Sequence, residues 1–417
     1  MSSVGIVGLG PVGKNLSINI EKNRDVHVFN RTHPKMYELV NETANVYGHG
    51  TILDMVDSMK RPRTILTALP HGNITDNSLN DLVTILSPGD TIVDLANEHY
   101  KVSRNRNARC SCRDINYLGV GISGGTRNGP ALMVGGNWDV FLKHHDFFNS
   151  FAKNVAYMGE DPGLGHFTKM VHNGIEYGML QGIADIFAYC GQDSKVMEIV
   201  MKEASESDIS GFLINSARDV TKMYDVSKIV DVAEMNDTGS WCSIFGLTHD
   251  ISTPVINAAL NARITSKHSR FYKTINNKDL MKDVNTAVNA LRFVFASSIM
   301  EGYSLMEHTS VSKETIRNAW SAGTIIDCPM IEGKFYKILD DTSMDARVFT
   351  IQCASSRIPC PSIQAALTQY DFTRQKRTSM NFLMAQRNYF GQHTPVSYTH
   401  LRAHETLRYL VCRLLLE

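Results

Sequence analysis

No stretch of this sequence stays apolar for anything near the roughly twenty residues that a membrane-spanning helix needs, so no membrane partner is expected. An excess of charge is missing too: Lys plus Arg and Asp plus Glu number 42 each in 417 residues. A neutral chain has no global basic field to hold nucleic acid or an anionic lipid surface, and an anionic ligand must be met by local cations. The opening Met1-Ser2-Ser3-Val4-Gly5 shows neither a basic leader nor an apolar signal core, which predicts a cytoplasmic protein. The eight cysteines are scattered and read as free thiols in a reducing compartment. Cys110 and Cys112 form a C-x-C pair, but no second pair or histidine follows at zinc spacing, so no metal is expected. Solenoid repeats and low-complexity tracts are absent.

What is present is apolar material for a packed core, 43% against 20% charged, in a chain long enough for two domains. Val4–Leu9 is a short apolar run ending in glycines, Leu16–Ile20 recur at helical spacing, and Val26–Phe29 is a second run. That is strand, turn, helix, strand in about thirty residues, a βαβ unit. Further strands are predicted at Thr64–Leu69, Thr91–Leu95 and Tyr117–Val120, alternating with helix-length segments as in a parallel, doubly wound sheet. The alternation stops near residue 160, in the turn formers Gly159-Glu160-Asp161-Pro162-Gly163, and the remainder reads as helical, with one long helix from Asp283 to Met306. The expectation is an α/β Rossmann-like dinucleotide-binding domain over 1–160, an all-α domain over 161–394 and an atypical tail over 395–417.

Gly8-Leu9-Gly10-Pro11-Val12-Gly13 fits G-x-G-x-x-G. Alone the pattern is weak; following a strand and opening a helix, it predicts a loop whose backbone approaches a pyrophosphate at a helix N-terminus. The next strand ends in Asn30-Arg31-Thr32, with no carboxylate to hold a ribose 2′-hydroxyl. Arg31, flanked by two hydrogen-bonding side chains, is suited to a 2′-phosphate, so the expected cofactor is NADP.

The most informative stretch is Gly165 to Gly178. On a helix, Lys169, His172, Asn173, Glu176 and Tyr177 fall at i, i+3, i+4, i+7 and i+8 and form one polar stripe beside the apolar Met170, Val171 and Ile175. A stripe combining a base, an acid, an imidazole and an amide differs from the usual Lys/Glu coating of a solvent face and predicts a polar cavity. Lys169 and Glu176 lie about 10 Å apart along the axis, room for a small substrate between their tips. Lys169 serves as a base only if burial lowers its pKa toward ~7–8.

Lys169-Met170-Val171-His172-Asn173-Gly174-Ile175-Glu176-Tyr177-Gly178 resembles the signature of the 6-phosphogluconate dehydrogenase family. Ser123-Gly124-Gly125, Gly129-Pro130-Ala131-Leu132-Met133, Asp94-Leu95-Ala96-Asn97-Glu98 and Arg387-Asn388-Tyr389-Phe390-Gly391-Gln392-His393-Thr394 resemble further motifs of that family, in collinear order over roughly residues 4–394. The resemblance implies oxidation and decarboxylation of 6-phosphogluconate, with Lys169 as base, Glu176 as acid and no metal. It implies that Asn97, Ser123, Gly124, Gly125, His172, Asn173 and Tyr177 hold the substrate, Asn97 also bordering the cofactor. Arg263 would bind the phosphate, and Arg387 and His393 would reach in from the partner subunit of a homodimer.

Three departures stand out. Ser240 and Cys242 in Gly239-Ser240-Trp241-Cys242 replace the lysine and threonine usual around that tryptophan. Losing one charged hydrogen bond would weaken substrate binding about ten- to a hundredfold. Only Thr126-Arg127-Asn128 separates Gly125 from Gly129, a loop shorter than the family's. From Pro395 to Glu417 the chain resembles no part of the family and reads as a non-native tail. These departures leave open a related β-hydroxyacid dehydrogenase with a different sugar acid, and a catalytically silent NADP-binding homologue.

Overall fold

A computed structural model of the chain describes residues 3–125, 129–268 and 283–391. Its first part alternates β1 (Ser3–Val7), α1 (Pro11–Ile20), β2 (Asp25–Phe29), α2 (His33–Glu42), β3 (Val46–Gly48), α3 (Ile52–Asp57), β4 (Thr64–Thr67), α4 (Asn73–Ile85), β5 (Thr91–Asp94), α5 (Tyr100–Ser111) and β6 (Asn116–Ser123). The strands form one sheet in the order β3-β2-β1-β4-β5-β6, all parallel. Every residue of β4 and β5 is buried, as expected of central parallel strands covered on both faces. Val4, Ile6, Val28, Leu66 and Val93 pack on one face with Leu16 and Leu39, while Val7, Ile65, Ile92 and Tyr117 pack on the other with Val56, Leu79 and Leu82.

The sheet is larger than the sequence pattern predicts. β7 (Ala131–Gly136) follows β6 antiparallel, α6 (Trp138–Asn149) crosses back, and β8 (Asn154–Gly159) lies parallel to β7. The doubly wound reading holds for six strands, and the last two run against them. Their signal is masked because β7 reads Ala-Leu-Met-Val-Gly-Gly, a buried run without alternation and with two strand-weakening glycines.

The helical part begins with α7 (Leu164–Tyr189) and continues through α8 (Ser194–Ala204), α9 (Phe212–Met223), α10 (Asp237–Thr248), α11 (Pro254–Ser266), α12 (Val284–Met306), α13 (Lys313–Trp320), α14 (Phe335–Ser356) and α15 (Pro361–Arg374). The long helix expected from Asp283 is α12, with the Asp283 carboxylate accepting from Thr286 N–H at 3.0 Å as its N-cap. The first turns of α7 lie directly on the sheet. A Cβ on Gly165 would stand 2.2 Å from the Gly119 carbonyl oxygen, and one on Gly121 would stand 2.5 Å from Cβ of Lys169. Glycine is therefore required on both sides of that contact, and the contact is what buries Lys169. Farther along, α7 packs against α12, where Gly302 admits the Ile175 side chain.

Residues Met1–Leu367 make one compact unit. The second unit, Thr368–Glu417, contains the end of α15 and α16 (Met380–Gly391), a helix with no buried residue that leaves Phe382, Tyr389 and Phe390 exposed.

Candidate active site

At the cofactor end the glycines have separate jobs. Gly8 has φ +99°, and its carbonyl oxygen would lie 1.9 Å from a Cβ on Gly13, so the first makes the turn and the other lets helix meet strand. A Cβ on Gly10 would meet nothing within 4 Å, leaving open space beside the backbone. No side chain caps α1 at Gly10, so its first-turn N–H groups remain for an anion. Pro11 starts the helix and Val12 packs against the core. Asn30 braces this loop: its Oδ1 accepts from Leu9 N–H at 2.9 Å and its Nδ2 donates to the Thr32 carbonyl at 2.8 Å. Arg31 and Thr32 stand exposed beside it. An open glycine cradle with a neighbouring arginine and no carboxylate fits a 2′-phosphorylated dinucleotide.

Asn97 is half-buried in the loop between β5 and α5. A fully buried arginine that the sequence pattern does not single out holds this loop from both sides. Arg106 bonds Asp94 at 2.8 Å, Glu98 at 2.7 Å and Asp76 at 2.9 Å. Asp94 also accepts from Tyr117 OH, and Glu98 from Gly72 N–H. The three carboxylates hold the guanidinium's pKa above its ordinary value despite burial.

The polar stripe of α7 faces inward. Lys169, His172, Asn173 and Tyr177 are buried, and the Glu176 side chain is 19% exposed, the most open of the five. Lys169 Nζ lies 3.3 Å from His172 Nδ1, and His172 Nε2 lies 2.8 Å from Ser123 Oγ. Burial, reinforced by Lys169, pushes the His172 pKa well down, so the ring is neutral. Its Nδ1 lies 3.3 Å from both Lys169 Nζ and Asn173 Oδ1, so the neutral ring can accept from the lysine or donate to the amide, with Nε2 and Ser123 taking the complementary roles. The 3.7 Å approach of Glu176 to His172 is accordingly not an ion pair. Burial brings the Lys169 ammonium down to about 8, against the opposing pull of Glu176. Burial raises the Glu176 carboxyl while Lys169 and Arg263 hold it down. A lysine that loses its proton near neutrality and a carboxyl that keeps one longer than usual form a base and an acid on one helix face.

Two residues that the sequence pattern does not mark complete the wall. Asn173 Nδ2 donates to Thr238 Oγ1 at 3.0 Å, Thr238 donates to Asn236 Oδ1 at 2.6 Å, and Tyr177 OH donates to the same oxygen at 3.0 Å. Asn236-Asp237-Thr238, a capping-type triplet at the start of α10, is the signal that points to them. Arg263 on α11 lies 4.1 Å over the Tyr177 ring and donates to the Glu234 carbonyl at 3.1 Å, while its Nε is buried without a hydrogen-bond partner. Gly124, at φ +84°, packs on Gly323, and Gly125 ends the described part of that turn. Ser240 Oγ donates to the Asp237 carbonyl at 2.7 Å, and Cys242 is buried against Gly174. Thus Lys169, His172, Asn173, Glu176, Tyr177, Ser123 and Arg263 come together. Arg387 is exposed on α16 of the second unit, and His393 lies outside the described residues.

A glycine-loop dinucleotide cradle, followed by a helical part carrying a buried lysine and a carboxyl, defines a two-part nucleotide-binding architecture with an acid–base site. The family model described as the NAD binding domain of 6-phosphogluconate dehydrogenase matches residues 3–159, and that of the 6-phosphogluconate dehydrogenase C-terminal domain matches 165–333 and 309–407. The chain belongs to the 6-phosphogluconate dehydrogenase family. Decarboxylating 6-phosphogluconate dehydrogenase of Lactococcus lactis is 30% identical over 94% of this chain and 96% of its own. The spinach (Spinacia oleracea) form 1 enzyme is 28% identical over 94% of each. The Plasmodium falciparum 6-phosphogluconate dehydrogenase, solved without ligand, with NADP+ and with 6-phosphogluconate, superposes with a TM-score of 0.84 at 25% identity, covering 95% of this chain and 97% of that one.

Proposed function

We propose that this protein oxidises and decarboxylates 6-phosphogluconate to ribulose 5-phosphate and carbon dioxide with NADP, a reaction of the pentose phosphate pathway. The observation that carries the reading is the enclosed Lys169, whose ammonium sits at about 8 on the same helix face as Glu176. NADP supplies the hydride acceptor when bound; Gly8, Gly10, Pro11, Val12 and Gly13 would hold its pyrophosphate, Asn30, Arg31 and Thr32 its 2′-phosphate, and Asn97 its inner end. Neutral Lys169 takes the proton of the C3 hydroxyl as the C3 hydride departs, leaving a 3-keto acid. The carboxylate then leaves as carbon dioxide, its bonding electrons passing into the neighbouring ketone to give an enediol. Glu176 protonates the former C2, which becomes C1 of ribulose 5-phosphate.

Ser123, Gly124, Gly125, His172, Asn173 and Tyr177 hold the carbon chain in this reading, and Arg263 takes the phosphate. The orphaned Nε of Arg263 supports that assignment, as a buried donor calls for an acceptor. The working species is a homodimer in which Arg387 and His393 come from the partner subunit. The exposed Phe382, Tyr389 and Phe390 on the helix that carries Arg387 support it, because large apolar side chains on one exposed helix call for a cover. No described helix is long and apolar enough to cross a membrane. A cytoplasmic location is supported by the described cysteines, all of which are free thiols. The test is NADPH formation from 6-phosphogluconate, with NAD and gluconate as controls. Turnover specific for the phosphorylated acid and NADP is expected; turnover of gluconate at equal efficiency would overturn the substrate assignment.

A further inference from the structure

Helix α11 begins at Pro254 without a cap of its own, since the Thr253 side chain makes no capping hydrogen bond. The cap comes from another helix. Glu301, in the C-terminal part of α12 and 1% exposed, accepts from Val255 N–H at Oε1 (2.8 Å) and from Ile256 N–H at Oε2 (3.0 Å). These are the second and third helical N–H groups, which otherwise lack partners. A matching device stands elsewhere in the fold. Asp185 of α7 accepts from Ser362 N–H at 3.0 Å and from Ile363 N–H at 3.1 Å, at the start of α15. The two capped segments, Thr253-Pro254-Val255-Ile256-Asn257-Ala258-Ala259-Leu260 and Cys360-Pro361-Ser362-Ile363-Gln364-Ala365-Ala366-Leu367, share Pro, Ile, Ala, Ala and Leu at the same places. A buried carboxyl group on one helix gripping a proline-started helix is thus built twice. Neither Asp185 nor Glu301 belongs to the polar stripe that faces the reaction.

Only α11 carries its grip to the site. Arg263 lies nine residues past Pro254, about 13 Å along the axis, and a helix of this length transmits an end displacement nearly whole. Its guanidinium is held over Tyr177 and bonded to the Glu234 carbonyl, with Nε left unpartnered. An arginine meets a phosphate through a planar fork, so an ångström of helix travel misaligns it. We infer that Glu301 is a positioning residue for the anion site: by pinning the N-terminus of α11 to α12 it fixes where Arg263 meets the substrate's phosphate. This rests on the assignment of that phosphate to Arg263. The pinning uses both oxygens of one carboxyl group, which burial raises to about 8 while the Val255 and Ile256 N–H donors pull it back down. Glutamine in its place keeps one acceptor and turns an NH2 group toward the second N–H, so the helix end must shift.

The test is a double-mutant cycle on the full-length protein, Glu301→Gln with Arg263→Ala, read as the dissociation constant for 6-phosphogluconate by calorimetry. Glu301→Gln is expected to raise that constant by about three- to tenfold, the scale of one hydrogen bond lost at the helix end. It should raise KM, leave kcat within about twofold and leave NADP affinity unchanged. In the Arg263→Ala background the same substitution should add nothing. An undiminished penalty there, or an equal penalty on NADP, makes Glu301 a purely structural residue and overturns the inference. Where Glu301→Gln does not fold, Glu301→Asp keeps the carboxyl group but retracts it by one methylene, and the same cycle with that variant has the same two outcomes. Wild-type protein that neither binds nor oxidises 6-phosphogluconate removes the functional reading and this inference together. Wild-type turnover with an additive cycle removes the inference alone.

Discussion

Replacing Lys169 by methionine separates what the lysine costs from what it does. Burial brings its ammonium from 10.5 to about 8. At about 1.4 kcal/mol per pKa unit, holding that charge inside the fold costs about 3 kcal/mol. The sign follows from the folded-state pKa being the lower one. Below pH 8 the group is charged in both states and the full cost applies. Between 8 and 10.5 the folded chain has shed a proton that the unfolded chain keeps, so the cost fades, and above 10.5 it is gone. Methionine is of similar length and uncharged, but it leaves His172 Nδ1 without the 3.3 Å contact from Lys169, a loss of about 1 kcal/mol. Lys169→Met should therefore be about 2 kcal/mol more stable than wild type at pH 7 and nearly equal to it at pH 10, while forming no NADPH at either. Urea unfolding midpoints at the two pH values give the answer. A variant less stable than wild type at pH 7, or a difference that does not change with pH, would refute the claim that Lys169 is held against its charge.

Three other substitutions probe separate parts of the site. Lys169 must be neutral to accept a proton, so kcat/KM should climb with pH and level off above about 8. Glu176→Gln removes the charge that holds the ammonium up and should move that limb down by about one pH unit, from ~1–2 kcal/mol at about 10 Å; an unmoved limb would uncouple the two residues. Arg31→Glu should weaken NADP at least about a hundredfold, losing a charged hydrogen bond and adding repulsion, with little effect on NAD; equal NADP affinity in variant and wild type would move the 2′-phosphate site elsewhere. Ser240→Lys should lower KM for 6-phosphogluconate by about tenfold at nearly constant kcat. A raised KM would mean that the lysine is captured by the neighbouring Asp237 carboxylate, which already pairs with His71 at 2.9 Å.

The parts of this molecule that are legible in the sequence are those written in local spacing. The glycine loop, the parallel strands through β6 and the polar stripe of α7 each declare themselves within a few turns or one βαβ unit. What escapes depends on distant partners. β7 is a buried strand without alternation, and β8 buries only Ala156 and Met158, too short an alternation to stand out. Arg106 looks like one more basic residue on a polar helix until Asp76, Asp94 and Glu98 are seen around it. Glu301 sits in an apolar helix where a carboxylate reads as an exception, and only the uncapped start of α11 explains it. The depressed pKa of Lys169 is of the same kind, arising from close contact between α7 and β6 that Gly121 and Gly165 permit. Spacing places Lys169 and Glu176 on one face; enclosure by residues far along the chain gives them their chemistry.

The division of labour between those two residues is tested most directly by a single turnover with enzyme in excess, following NADPH and the incorporation of solvent deuterium at C1 of ribulose 5-phosphate. Lys169→Met should yield no NADPH. Glu176→Gln should form NADPH and carbon dioxide in the first turnover while deuterium enters C1 far more slowly than in wild type. Equal, partial losses of both signals in the two variants would contradict the assignment of base and acid.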